Sequence, residues 1–362
     1  MTSLIHQMTP GRSQSSKKRR YGPLGLLLAL AGLVLFAYFV KRAGVGEIAK
    51  GIKRLGAGFL IVLAISALRQ VVRSCAWMLC LEPPHRLRFW DAFRARVMGD
   101  AIGNVLPFAS FIVSEPAKPA LIRDRLPLIA GFSAIAIENI FYGLSVALFV
   151  CSGMIALLLS FHLPKALRLA SVTTFIVVPI VIGSVCLLIW KEWRFASRMT
   201  RVLQGRGLNV KWVEKAIAFE NRLYGFYQRN RSRFLPIMLL EACFHLAGVL
   251  EIYVTLAFIS PAQPPTFFTA FILESVNRVI TLAFKFVPLR MGVDEAGTGR
   301  VSRILQFTEA TGVTLAIIRK GRDLFWVAVG LILLLQRGIS LRSVNRERKE
   351  ADSKQSSTDL SI

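Results

Sequence analysis

Two hydrophobic stretches of this chain are interrupted by the same residue types in the same order. The first carries Asn104, Pro107 and Glu115; the second carries Asn277, Pro288 and Glu295. Proline inside an apolar helix removes a backbone donor and breaks the ladder. Each stretch should therefore present unpaired amides and carbonyls near its break. Half-helix N-termini carry partial positive charge and can hold an anionic group at mid-membrane. A carboxylate in the hydrocarbon zone is costly unless it faces a protein-lined or watered cavity. Paired, Gly/Pro-interrupted segments of this kind mark the binding sites of inverted-repeat transporters. Glu115 and Glu295 would there pair with a cation, exchange a proton or clamp an arginine. The alternative for both is an interfacial cap, or a salt bridge to Lys118 or Arg290.

Other ionisable residues interrupt apolar sequence. Glu138 with Asn139 lies in one run, and Glu274, Asn277 and Arg278 lie in another. Buried charges must be paired or hydrogen-bonded. A Glu138–Arg278 pair is one expectation, and unrelated partners for each are the other. Arg319 and Arg322 are three apart on one helix face, within a knot completed by Lys320 and Asp323. They would grip a lipid phosphate by bidentate bonds, or pair with Asp294 or Glu309. Glu241 and His245 share a face of a further helix, where His245 would relay protons or make a helix–helix hydrogen bond.

No Ser/His/Asp set, phosphate loop or HExxH motif is present. The longest stretch outside the apolar runs, 191–233, is too short to fold as a catalytic domain. The five cysteines stand singly, with no CxxC pair, and read as small core residues. Enzymatic activity, a metal and a cofactor are accordingly not expected.

These residues need a membrane-spanning frame. The chain has 362 residues, 54% hydrophobic and 19% charged, a balance foreign to soluble domains. A helix crosses the bilayer with about 17 to 25 apolar residues. Six runs meet that need: 23–40, 58–81, 128–150, 170–190, 234–259 and 312–335. The second contains Arg69 and Arg73, which must turn toward protein or water. The net charge of +25 gathers at the ends of apolar runs rather than in a nucleic-acid module, as expected of cytoplasmic loops. Such loops also attract anionic headgroups, by roughly 1 kcal/mol per cation near the surface.

Charge bias sets the orientation. The basic segment 1–22 places the N-terminus inside, and alternation of spans then puts the very basic stretch 191–233 and the tail 337–362 inside as well. The segments around Pro107 and Pro288 are too short and broken to cross alone, so each dips in and returns. Each half (about 23–160 and 168–336) then holds three spans and one re-entrant segment, and an odd count inverts the second half. The expected fold is an all-α polytopic membrane helix bundle, with about six full spans and two re-entrant segments. The loop 41–57 is the exception: placed outside, it carries five cations against Glu47 alone. Between 212 and 227, apolar residues at helical spacing predict an amphipathic helix, lying at the interface or packed under the bundle.

The run Phe286-Val-Pro-Leu-Arg-Met-Gly-Val-Asp-Glu295, followed by Arg319 to Arg322 in an apolar helix, resembles a family signature of proline, glycine and glutamate. The family is the flippase-like one of the lysylphosphatidylglycerol synthase transmembrane region, to which hopanoid-associated membrane proteins are related. Asn104-Val-Leu-Pro107 through Glu115 to Lys118 resembles its earlier element. The chain departs from the family pattern at Val113-Ser114, where a glycine is usual before the acidic residue. It departs again at Lys118 and Asn139, where arginines are usual.

The resemblance implies translocation of a membrane lipid: an anionic phospholipid, an aminoacylated lipid, a hopanoid or a polyprenyl lipid. The aminoacyl-transferase domain of bifunctional members has no counterpart before Ile362. The expectation is a bacterial inner-membrane lipid translocator with both termini cytoplasmic. Its alternatives are a membrane-embedded enzyme on lipid-linked substrates and an accessory subunit of a lipid-synthesis enzyme.

Overall fold

The computed structural model describes Tyr38, Lys41 and residues 45–105, 110–191, 194–204, 210–284, 287 and 290–359. The expected first span lies outside the described residues apart from Tyr38, and Pro107 and Pro288 lie outside them too. Among the described residues there are twelve α-helices and no strand. In lipid this is the physical expectation, because a helix satisfies its own backbone groups.

Helix α1 (Val45–Leu55) accounts for the basic loop that the charge count left unexplained. It is amphipathic: Ile48 and Leu55 are buried, while Lys50, Lys53 and Arg54 are exposed. It packs against the fifth and sixth expected spans, 234–259 and 312–335. Its cations therefore belong to the solvent face of a docked helix.

Four helices contain stretches long and apolar enough to cross a bilayer: α2 (Gly58–Leu79), α5 (Leu128–Ser160), α6 (Lys165–Trp190) and α9 (Phe234–Ile259). Helix α12 (Glu309–Asp359) contains the expected last span, but its four clustered charges set it apart by composition. Arg319 and Lys320 are buried, so those charges face protein. The helix also runs on beyond Gln336, where a charged tail was expected to begin.

Each broken segment is a helix of 17 residues followed by one of 12. The first is α3 (Phe89–Val105) and α4 (Ser110–Leu121); the second is α10 (Phe267–Ala283) and α11 (Val293–Ile304). Their packing is reciprocal: α3 lies against α12, α10 lies against α5, and α2 and α9 pair at the centre. Both reciprocal contacts are made through a glycine. Gly153 of α5 sits on Ser275 of α10, and Gly330 of α12 sits on Ala101 and the Val97 carbonyl of α3. Close approach through small residues is how helices associate in lipid, where apolar side chains gain little from leaving the solvent.

The helix expected around 212–227 is α8 (Val210–Arg229). Its Phe226 is buried in a cluster with Phe141 of α5 and Ile237 of α9, with Leu223 and Tyr227 beside it. This is the packed alternative. The short α7 (Phe195–Gln204) is tied to it by a bond from the Ser197 hydroxyl to Glu220.

Candidate functional site

A polar cavity of about 300 Å³ lies where the two broken segments approach each other. The first segment contributes Asn104 and Glu115; the second contributes Asn277, Arg278 and, just before α11, Arg290. Helix α2 adds Arg69 and Arg73, α3 adds Arg96 and Asp100, and α12 adds Arg322 and Asp323. Arginines inside a membrane bundle require counter-charges, and most of these stand behind the wall.

Glu138 on α5 is fully buried and receives Arg73 Nε at 2.8 Å, Arg73 Nη2 at 2.6 Å and Arg96 Nη2 at 2.9 Å, all on Oε1. Glu251 on α9 accepts from Arg69 Nη1 at 3.0 Å and from Arg322. Glu274 pairs with Arg278 one turn along α10, with Arg69 Nη2 at 3.6 Å and Asn277 Nδ2 at 3.3 Å. Asp323 accepts from Arg322 Nη2 at 2.7 Å and Arg290 Nη2 at 3.4 Å.

Behind Asp100 and Glu115, Lys118 is buried between Glu115 Oε1 at 2.8 Å and Asp100 Oδ1 at 2.9 Å. Asn139 Nδ2 donates to the second Glu115 oxygen at 2.9 Å. Glu115 and Asn139 also line an apolar groove of about 1270 Å³ between α5, α6 and α8. Glu115 thus stands where polar cavity and apolar groove adjoin.

Several expectations need correction. Glu138 does not meet Arg278: each has a partner on its own side, Arg73 and Arg96 for the one, Glu274 for the other. Glu295 does not reach the cavity shared with Glu115. It is fully buried at the start of α11, where Oε2 accepts the Gly292 amide at 2.7 Å and Oε1 pairs with Lys320. The signature's glycine and glutamate are thereby explained. Gly292 adopts φ 78°, a left-handed conformation that costs glycine little, and Glu295 three residues on caps the helix.

Arg319 and Arg322 diverge. Arg322 faces the cavity, whereas Arg319 is buried and donates to Thr298 Oγ1 at 2.7 Å. Asp294 instead meets Arg290 at 3.2 Å and Lys320 at 3.7 Å, and Glu309 meets Arg303 at 3.5 Å. His245 takes its structural alternative, with Nε2 3.1 Å from Ser145 Oγ and its ring stacked on Phe149.

The profile of the lysylphosphatidylglycerol synthase TM region matches residues 24–331. The chain belongs to this family. It is a multi-pass membrane protein of a lipid-related family, and the all-α bundle agrees with that membership. Comparison with curated proteins and with solved structures gives no match.

Sequence reasoning did not assign Arg69, Arg73, Arg96, Asp100, Arg290, Asp323 or Phe244 to the site of this family member. For Arg69 and Arg73 the signal was present, since arginines four apart in an apolar run already demanded a polar surface. Arg96 follows Arg86, Arg88 and Arg94, and reads like one more loop cation.

Proposed function

We propose that this member of the family moves a polar or anionic lipid between leaflets, the headgroup passing through the arginine-lined cavity. One observation carries the reading: a single polar cavity draws lining residues from both broken segments, Asn104 and Glu115 from one, Asn277 and Arg278 from the other. A lipid is a polar head joined to hydrocarbon. The protein offers a polar cavity beside an apolar groove, with Glu115 on the wall of each. Binding sites formed by discontinuous helices at the meeting of two repeats are the general design of alternating access. The equal helix lengths and reciprocal packing of the two broken segments support an inverted repeat of halves 23–160 and 168–336.

Transport rather than chemistry is the better reading, because the two cavity carboxylates on the broken segments, Asp100 and Glu115, both pair with the buried Lys118, and Glu115 is bonded by Asn139 as well. Taking up a proton as a general base would neutralise one partner of that buried ion pair. The proposed setting is a bacterial inner membrane with both termini cytoplasmic. Reporter fusions after Ser260 and Ile362 test that topology, and an equal cytoplasmic signal from both would reject it. Reconstitution in vesicles with headgroup-labelled lipids tests the function. Leaflet exchange above that of empty vesicles is expected for an anionic lipid, and none for any bacterial lipid class would remove the proposal.

A further inference from the structure

We infer that the cavity is built for a small headgroup carrying phosphate as a net anion, and that it discriminates against cationic, aminoacylated headgroups. The inference rests on the translocation reading and deepens it to a substrate class.

Six arginines line the cavity against three carboxylates, Asp100, Glu115 and Asp323. The carboxylates that compensate Arg69, Arg73 and Arg278 stand behind them. Glu251, Glu138 and Glu274 are at most 2% exposed, while those arginines keep 10 to 14% of their side chains open. On that wall a ligand meets guanidinium and not the carboxylates behind it; the carboxylates open to the cavity are Asp100, Glu115 and Asp323, at 21 to 35% exposure.

Phe244 gathers that wall. The guanidinium carbons of Arg69, Arg278 and Arg73 lie 4.6, 4.9 and 5.6 Å from the centre of its ring, and Arg73 also lies 3.8 Å over Tyr142. Three like charges around one phenyl ring would repel each other. The negative ring face offsets part of that repulsion, and more strongly where water is scarce. The result is a preformed group of guanidiniums, each of which spends part of its fork on Glu138, Glu251 or Glu274 and keeps further N–H donors for phosphate oxygens.

The lining carboxylates Asp100 and Glu115 are unsuited to an ammonium. Asp100 and Glu115 already share the buried Lys118, so an incoming amine would compete for the same oxygens. Hydroxyls can donate to their remaining lone pairs without displacing it. Size adds a limit: about 300 Å³ is the volume of roughly ten waters. That admits a phosphate with a small polyol and excludes an oligosaccharide.

The test uses the full chain in phosphatidylcholine nanodiscs and measures binding by calorimetry. The probes are dihexanoylphosphatidylglycerol, its lysyl ester, and inorganic phosphate. Dihexanoylphosphatidylglycerol is expected to bind about tenfold or more tightly than the lysyl ester. Phe244→Leu should cost that lipid about tenfold in affinity and leave the ester unchanged. Arg278→Lys, which keeps the charge and loses the fork, should act in the same direction. Equal or tighter binding of the lysyl ester overturns the inference, as does an unchanged ratio in both variants. Inorganic phosphate binding as tightly as the lipid overturns a lipid as the source of the anion. The expected discrimination without leaflet exchange in vesicles would leave the headgroup assignment standing and remove translocation.

Discussion

Arg73 and Glu138 are joined by two hydrogen bonds to a single oxygen, at 2.8 and 2.6 Å, and Arg96 adds a third at 2.9 Å. One buried carboxylate thereby holds two cavity arginines and links α2, α3 and α5. Glu138→Gln keeps the shape and removes the charge, leaving two guanidiniums uncompensated. Breaking a buried pair in this way costs about 3 kcal/mol or more. The expected outcome is a clearly lowered melting temperature in detergent and poor recovery of folded protein. An unchanged melting temperature would mean that the arginines are compensated elsewhere.

Glu115 should behave differently. It is partly open to the cavity, and glutamine keeps one acceptor oxygen for Lys118 while its amide can donate to a flipped Asn139; Lys118 also keeps Asp100 at 2.9 Å. Glu115→Gln is expected to change stability by about 1 kcal/mol or less, the range of a partly exposed pair. Leaflet exchange of a headgroup-labelled anionic lipid should nevertheless fall about tenfold or more, if this carboxylate sits on the headgroup path. Thermal melting and vesicle assays on the same preparation separate the two effects. Full exchange by the variant would take Glu115 off the path.

Glu295 presents the reverse case. It is fully buried, pairs with Lys320 and caps α11 through the Gly292 amide. Glu295→Gln should destabilise by about 3 kcal/mol, as a broken buried pair. Gly292→Ala should cost about 1 kcal/mol or more, because φ 78° is unfavourable for a residue with a Cβ. Any loss of exchange should then track the loss of folded protein, which fluorescence-detected gel filtration reads directly. A well-folded but inactive Glu295→Gln would restore this residue to the transport path.

The contrast between these two carboxylates shows what sequence can carry. The helical bundle and the two broken segments were legible because apolar run length, proline and intramembrane charge are local signals. Glu115 and Glu295 looked equivalent because both follow a proline by seven or eight residues. Their difference lies in depth and partners. Lys320 lies 25 residues from Glu295 and meets it only through the packing of α11 on α12. Ion-pair identity is non-local in the same way for Glu138, whose partners are 65 and 42 residues away. The basic loop 41–57 misled for another reason: charge counting treats cations as loop residues, whereas Lys50, Lys53 and Arg54 form the outer face of α1.

The reciprocal packing of α3 on α12 and of α10 on α5 makes a prediction that needs no substrate. At Gly153 an added Cβ meets the Ser275 side chain; at Gly330 it would lie 2.5 Å from Ala101 Cβ and 2.6 Å from the Val97 carbonyl. Overpacking of either contact should cost about 1 to 3 kcal/mol. The two should differ in how they are rescued. Ser275→Gly removes the atoms that clash with Gly153→Ala, so the double variant should regain most of its melting temperature. Ala101→Gly clears only one of the obstacles to Gly330→Ala, because the Val97 carbonyl belongs to the backbone of α3. That double variant should stay destabilised. Equal rescue at both sites would mean that α12 slides on α3 to accept a side chain, and that the contact between these two helices is not held at Gly330.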